Sequence, residues 1–363
     1  MESLLYLVSF ALLCAGAASA NPQVRVVDRR NGVTYDGLER NGIEVFLDIP
    51  YSEDTGGENR FKPPKRHVPR RESTVNGTAY GPSCPQQPGE WAPPISLGNI
   101  TDISEDCLNL NMARPRGTRA TDRLPVTVYI HGGSFIAGDN HDPTILPDGK
   151  ILESVRNGWP VVRVALNYRL SVFGFAQSEA LKSEGSENAV LRDQRLGIEW
   201  VRDNIDQFGG DPHKITIFGQ SSGGLAVGMQ IMGYGASKPV PFQQGICQCQ
   251  ALEPGITGNF TIDAMQAVVD YVDCDPNNLH SKETVACLRN LDMQTLLNAS
   301  LATYSSDIAH NIGDIWLPVV DGDFLPAAPS TLIRQGRFAQ SVTDGLVDAR
   351  VSILPHIYSL STD

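Results

Sequence analysis

The chain has 363 residues, 41% of them hydrophobic, with 34 Gly, 24 Pro and a formal net charge of −12. That length admits one large domain or two ordinary ones around a sizeable core, and the Gly and Pro content implies many turns and long loops. The acidic balance, without a dense basic run, argues against a nucleic-acid-binding or anionic-membrane surface.

The first residues form a separate unit. LLYLVSFALLCAGAASA is an apolar run that closes on Ala18-Ser19-Ala20, an A-x-A cleavage pattern. Its apolar part is short for a bilayer span and no positive flank follows closely. Residues 1–20 therefore read as a removed secretion signal rather than a transmembrane anchor, and no later segment is long and apolar enough to span a membrane. A secreted, extracellular chain makes two further features intelligible. The N-x-S/T sequons at Asn76, Asn99, Asn259 and Asn298 are acceptor sites for surface glycans. In an oxidising compartment the cysteines left after Cys14 departs are more readily bridged than reactive. Spacing suggests two local bridges, Cys84–Cys107 and Cys274–Cys287. Cys247 and Cys249 are too close for an easy mutual bridge and read as buried thiols. No cysteine–histidine cluster has spacing suited to zinc, so no metal site is expected.

In chain order, short alternating apolar stretches with Asn-Gly turns between Gly32 and Phe61 predict an antiparallel hairpin region, followed by Pro-rich loop sequence through Pro94. LPVTVYIHGG, Leu124 to Gly133, is a strand that ends abruptly in glycines. PVVRVALNYRL from Pro160 is a second strand. Apolar spacing from Asn188 to Phe208 predicts a helix, KITIFG from Lys214 a strand, and Leu225 to Met232 a buried helix. The loop from Asp139 to Lys150 is a candidate lid segment. Strands alternating with helices predict an α/β chain with a mainly parallel sheet, whose sites lie beyond the carboxyl ends of its strands.

FGQSSGG, Phe218 to Gly224, sits where one such strand gives way to a helix. A sharp strand-to-helix turn needs small neighbours, and a serine at its apex is held strained with its hydroxyl pushed outward. Gly219, Gln220, Ser221, Ser222 and Gly223 fit this G-x-S-x-G pattern. Taken alone, the same residues also describe a glycine-rich turn without chemistry. His131-Gly132-Gly133 alone likewise merely ends a strand. Both fall at the same kind of sheet edge, and acyl transfer needs fixed N–H groups aimed at a carbonyl oxygen that gains charge. On that basis Gly132, Gly133 and Ser222 are candidate oxyanion-hole donors beside a Ser221 nucleophile.

Several ordered motifs resemble the type-B carboxylesterases, a family that includes cholinesterases and secreted fungal lipases and esterases. FGGDP followed by KITIFGQSSGG resembles the family's serine signature, with Gln220 where glutamate is commoner. SEDCLNLN from Ser104 resembles its second signature, with Asn109 and Met112 as departures. NYRLSVFGF, LRDQRLGIEWVRDNI and PVVDGDFLP also look like family segments, and the two suggested bridges match the family's pattern. The resemblance implies an α/β-hydrolase fold, its mainly parallel central sheet covered by helices on both faces. It also implies Ser221 as acylated nucleophile and hydrolysis of small-molecule carboxylic esters or lipids without a metal or cofactor. It leaves oligomeric state open.

A serine hydroxyl needs a histidine to take its proton and a carboxylate to orient that histidine, in chain order Ser, Asp/Glu, His for this fold. The resemblance ends near Gln340. The tail SVTDGLVDARVSILPHIYSLSTD does not resemble the family's next strand or its acid-bearing loop. Residues 21–340 are therefore expected to form an incomplete carboxylesterase domain, with its C-terminal strands and helices missing, and 341–363 a divergent tail. Asp344, Asp348 and His356 are weak substitutes for the acid and base. His131 belongs to the HGG turn and is read as structural, and His67, His141, His213, His280 and His310 as surface or loop residues. The expectation is an ester hydrolase impaired in this chain. A non-catalytic cholinesterase-like binding or adhesion module and an inert truncated product remain alternatives, and the retained Ser221 argues against the first.

Overall fold

The computed structural model describes residues 23–90, 96, 98–248, 258–275, 277–309 and 314–342. The signal, Cys249, His310, Asp344, Asp348 and His356 lie outside the described residues.

Turn chemistry and alternation build the N-terminal half. Strands β1 (Gln23–Asp28), β2 (Val33–Arg40) and β3 (Ile43–Pro50) run antiparallel in sequence. Asn41 and Gly42 close the second hairpin with φ of 50° and 81°, the positive values a tight two-residue turn needs. The short β4 (Thr74–Asn76) pairs with β2, and β5 (Gly89–Glu90) with β6 (Asn99–Ile100) forms a separate ribbon. The main sheet continues with β7 (Asn109–Pro115), β8 (Leu124–Ile130), β9 (Val162–Leu166), β10 (Gly210–Gln220) and β11 (Gln244–Gln248). Its order is β1-β2-β3-β7-β9-β8-β10-β11.

The sheet is mixed. Along this order pairing is antiparallel from β1 to β9, while β9/β8, β8/β10 and β10/β11 are parallel, and the short β4 pairs parallel with β2 off it. The parallel order predicted for the chain thus holds for the half that carries FGQSSGG and HGG. The β1–β2–β3 hairpins close through tight turns and the parallel neighbours are joined by crossover helices, whereas β3/β7 and β7/β9 pair antiparallel across long connections. Helix α1 (Asp148–Arg156) links β8 to β9. Helices α2 (Ser171–Phe175), α3 (Glu179–Ser183) and α4 (Ala189–Asn204) link β9 to β10, and α5 (Ser222–Met232) links β10 to β11.

Both faces are covered. On one, Ile151 of α1 packs against Ile43, Val45, Leu47 and Ala113. On the other, α4 and α5 bury Leu191, Ile198, Val201 and Val227 against Val128, Ile130, Val164 and Ile217. Helices α6 (Phe260–Val272), α7 (Lys282–Asn290), α8 (Met293–Ile308) and α9 (Pro329–Arg334) extend that larger core. Among the described residues β11 is the edge strand and none of its five residues is fully buried. The elbow strand β10 therefore lies one strand from that edge.

Covalent and ionic links fix the loops. The bridges Cys84–Cys107 and Cys274–Cys287 both form, with Cα–Cα distances of 5.0 and 5.7 Å. Cys247 is a free thiol whose pKa burial pushes up to about 12, which leaves it unreactive. Beneath the sheet, the Arg169 guanidinium meets Asp193 of α4 through Nε at 2.8 Å and Nη2 at 2.6 Å. The Arg169 backbone N–H donates to the same carboxylate at 3.1 Å. Both side chains are essentially sealed from solvent.

Removing one partner of such a pair strands a charge in the interior. Asp193→Ala should therefore lower the unfolding free energy by about 3–5 kcal/mol in a denaturant titration. Glu187, buried just before α4 with Oε2 unpartnered, gives a pH signature. Burial raises its pKa from 4.5 to about 7. The folded state then holds its proton more tightly than the unfolded chain does. Stability from this group is full below pH 4.5 and is lost as pH rises through about 7. Glu187→Gln should raise the melting temperature at about pH 8 and leave it unchanged near pH 4.5.

Candidate active site

Strand β10 ends at Gln220 and helix α5 begins at Ser222, so the whole reversal falls on Ser221. Its backbone sits at φ 57°, ψ −128°, outside the regions an L-residue adopts readily, at a cost of about 1–3 kcal/mol. Neighbouring structure holds it there. The Ser221 N–H donates to Gln248 O of β11 at 2.9 Å, and the Ser221 carbonyl accepts from Leu225 N at 3.0 Å.

The flanking glycines make this approach possible. A Cβ on Gly219 would lie 2.8 Å from Ile130 O, and one on Gly223 would lie 2.7 Å from His131 O. Any larger residue would push α5 away from the end of β8. Ser221 remains partly exposed while its neighbours Gly219 and Ser222 are buried.

The turn after β8 comes to the same place. A Cβ on Gly132 would stand 2.5 Å from Gln220 O and 3.2 Å from Ser221 Cβ, so its backbone lies directly against the elbow. Gly133, Ser134 and Phe135 follow with φ of 114°, 52° and 58°. The Phe135 N–H donates to Ser222 Oγ at 3.3 Å, which ties the turn to the first residue of α5. Gln220, in place of the commoner glutamate, is exposed with its amide oxygen close to Gly132.

His131 is buried beneath this turn. Its ring stacks on Tyr168 at 4.2 Å and 11°, and Nδ1 lies 2.9 Å from Gly132 O. Burial lowers its pKa, so it supports the turn as a neutral ring. The Tyr168 hydroxyl donates to His131 O. The remaining described histidines, His67, His141, His213 and His280, lie at or near the surface.

The second signature, the 139–150 loop and the NYRLSVFGF segment meet through four asparagines. Asn111 Nδ2 donates to Asn140 Oδ1 at 2.6 Å, and Asn140 Nδ2 to Asn109 Oδ1 at 2.8 Å. The Asn140 N–H donates to Asn167 Oδ1 at 2.8 Å. Asn109 and Asn167 both donate to Pro82 O at 3.2 Å. The segment proposed as a lid is thus pinned at Asn140 against the starts of β7 and the end of β9. Sequence reading treated Asn109 only as a departure and missed this network. Its one available signal was the run of asparagines in LNLN, DN and LNY.

The structure therefore brings Ser221, Ser222, Gly132 and Gly133 to one sheet edge. Among the described residues, no histidine or carboxylate hydrogen-bonds to Ser221 Oγ. The arrangement offers a partly exposed serine, a helix N-terminus and glycine backbone at close range, which suits a reaction that places negative charge on a carbonyl oxygen.

Comparison with known proteins agrees. The carboxylesterase family matches residues 29–347. A secreted lipase of Arthroderma benhamiae is 58% identical over 327 residues, 90% of this chain and 57% of that protein. An inactive carboxylesterase-like protein of Byssochlamys spectabilis is 38% identical over 88% of this chain and 55% of its own length. Among solved structures, EstA of Aspergillus niger superposes with a TM-score of 0.72 at 27% identity, covering 87% of this chain and 58% of that one. The chain spans little more than half the length of these relatives. It belongs to the carboxylesterase family and has the α/β-hydrolase fold of those esterases.

Proposed function

We propose that this chain carries the nucleophile and oxyanion hole of a secreted carboxylic ester hydrolase. The observation that carries the reading is the strained, partly exposed Ser221 with the Gly132 backbone against it. In this reaction Ser221 Oγ attacks the ester carbonyl carbon while a base removes its proton. The N–H groups of Gly132, Gly133 and Ser222 hold the oxyanion of the tetrahedral intermediate. The alcohol leaves with a proton, and water then releases the acid from the acyl-serine. The substrate class is a small-molecule carboxylic ester or lipid, in keeping with the lipases among its relatives.

Among the described residues no base reaches Ser221. His131 is committed to Tyr168 and its own turn. With no such base among the described residues, this reading predicts slow turnover that rests on the oxyanion hole and binding, and the inactive carboxylesterase-like relative from B. spectabilis favours a non-catalytic module as the second reading.

A fluorophosphonate probe followed by peptide mapping tests this. Ser221 should be labelled slowly, and Ser221→Ala should abolish labelling. Gly132→Ala, which forces a Cβ against Gln220 O, should slow it by at least ~10-fold. His356→Ala should leave the rate unchanged. A fall in that variant would assign the base to the tail, and no labelling of folded wild type would favour the binding module.

Secretion and glycosylation belong to the same reading. Asn76, Asn99, Asn259 and Asn298 are all exposed. Protein secreted from a eukaryotic host should lose mass on peptide N-glycosidase treatment, and replacing all four with Gln should remove that shift.

A further inference from the structure

Tyr168, in the NYRL stretch just after β9, is fully buried and touches the glycine turn twice. Its ring stacks on His131 at 4.2 Å and 11°, and its hydroxyl donates to His131 O. Burial raises the Tyr168 pKa well above the usual 10, so the hydroxyl keeps its proton and stays a donor.

The acceptor in that bond belongs to the oxyanion turn itself. His131 C=O and Gly132 N–H are two ends of one peptide unit, which is planar and trans, so they point in opposite directions. Holding the carbonyl toward Tyr168 therefore fixes the direction of the Gly132 N–H. A hydrogen bond accepted by the carbonyl also polarises the amide and strengthens its N–H as a donor. Among the described residues nothing accepts from the Gly132 or Gly133 N–H. A Cβ on Gly132 would lie 3.2 Å from Ser221 Cβ, so this free donor stands at the elbow. The Ser222 hydroxyl, which accepts from the Phe135 N–H at 3.3 Å, adjoins the Tyr168 oxygen. One phenol thus braces both segments that meet at Ser221.

We propose that Tyr168 is a positioning residue for ester hydrolysis: its hydroxyl orients and polarises the His131–Gly132 peptide, so that the Gly132 N–H stabilises the oxyanion. This role rests on the reading of Ser221 as nucleophile with Gly132 in its oxyanion hole. Tyr168 acts through the backbone of the turn and needs no contact with substrate.

The test compares folded wild type with Tyr168→Phe and Tyr51→Phe. Tyr168→Phe keeps a ring on His131 and removes only the hydroxyl. Tyr51→Phe removes an equally buried hydroxyl that donates instead to Asn167 O at 2.6 Å. With a fluorophosphonate probe, Tyr168→Phe should lower the maximal rate of Ser221 labelling by roughly 10-fold and leave the half-saturating probe concentration unchanged. Tyr51→Phe should label as wild type does. A second readout is independent of labelling. His131-Gly132 is the one His-Gly pair in the sequence, so isotope labels on histidine carbonyl carbon and glycine nitrogen isolate the Gly132 amide by NMR. Its nitrogen resonance should move upfield in Tyr168→Phe and hold in Tyr51→Phe. Should Tyr168→Phe not fold, meta-fluorotyrosine at position 168, a stronger donor of nearly the same shape, should speed labelling and move the resonance downfield. A wild-type labelling rate in folded Tyr168→Phe, an equal loss in Tyr51→Phe, or an unmoved Gly132 resonance overturns the role of Tyr168 while leaving Ser221 as nucleophile. Folded wild type that takes no label overturns the nucleophile reading, and the proposal with it.

Discussion

The junction of β8, β10 and α5 depends on backbone-to-backbone contact that admits no side chain. Gly219 and Gly223 lie against the carbonyls of Ile130 and His131, and Gly132 lies against Gln220. Because these surfaces are bare, α5 can start one residue after β10 ends, and the reversal concentrates on Ser221. The strain there is small beside the packing that imposes it. Buried Ile217 and Val227 lie on either side of the turn, and the Gln248 carbonyl takes the Ser221 N–H. An ordinary loop serine would relax. This one has nowhere to go.

Buried polar groups carry the same rigidity outward. The four asparagines join the start of β7, the end of β9 and the loop after β8, and each side-chain amide finds partners among the others or in Pro82. Arg169 and Asp193 tie the segment after β9 to α4 in the same manner. Such groups are costly to bury and costly to leave half-paired, so they specify one arrangement of the loops around the elbow. His131 extends this scaffold. Stacked and neutral, it serves as a wedge under the glycine turn, and its imidazole is unsuited to proton transfer at Ser221.

Arg163 breaks the pattern of mutual satisfaction: it is buried, yet Nε, Nη1 and Nη2 all lack a hydrogen-bond partner. Its neighbours on the strand, Val162 and Val164, are buried in the main core, whereas strand alternation turns Arg163 toward the opposite face with Tyr129 and Phe218. That face is also where Thr216 and Phe218 stay partly exposed and where β11 forms the edge. The two faces of one sheet are therefore finished to different degrees. The α5 face is a dense hydrocarbon layer, and the α1 face ends in an uncompensated charge.

Local pattern determined a great deal here. The Asn-Gly turns, the apolar alternation of β8, β9 and β10, the helix after Asn188 and the elbow at Ser221 were all legible, because each rests on interactions within a few residues. Ordered motifs carried the family, and cysteine spacing carried both bridges. Sequence did not disclose that the N-terminal half pairs antiparallel as far as β9, since pairing partners are set by long-range packing. Nor did it disclose the role of Asn109, or Arg163 as a buried cation without a partner. A single asparagine or arginine has no local signature that separates a solvated position from an interior one. Burial and partnership are properties of the assembled layers, and only the tertiary structure decides them.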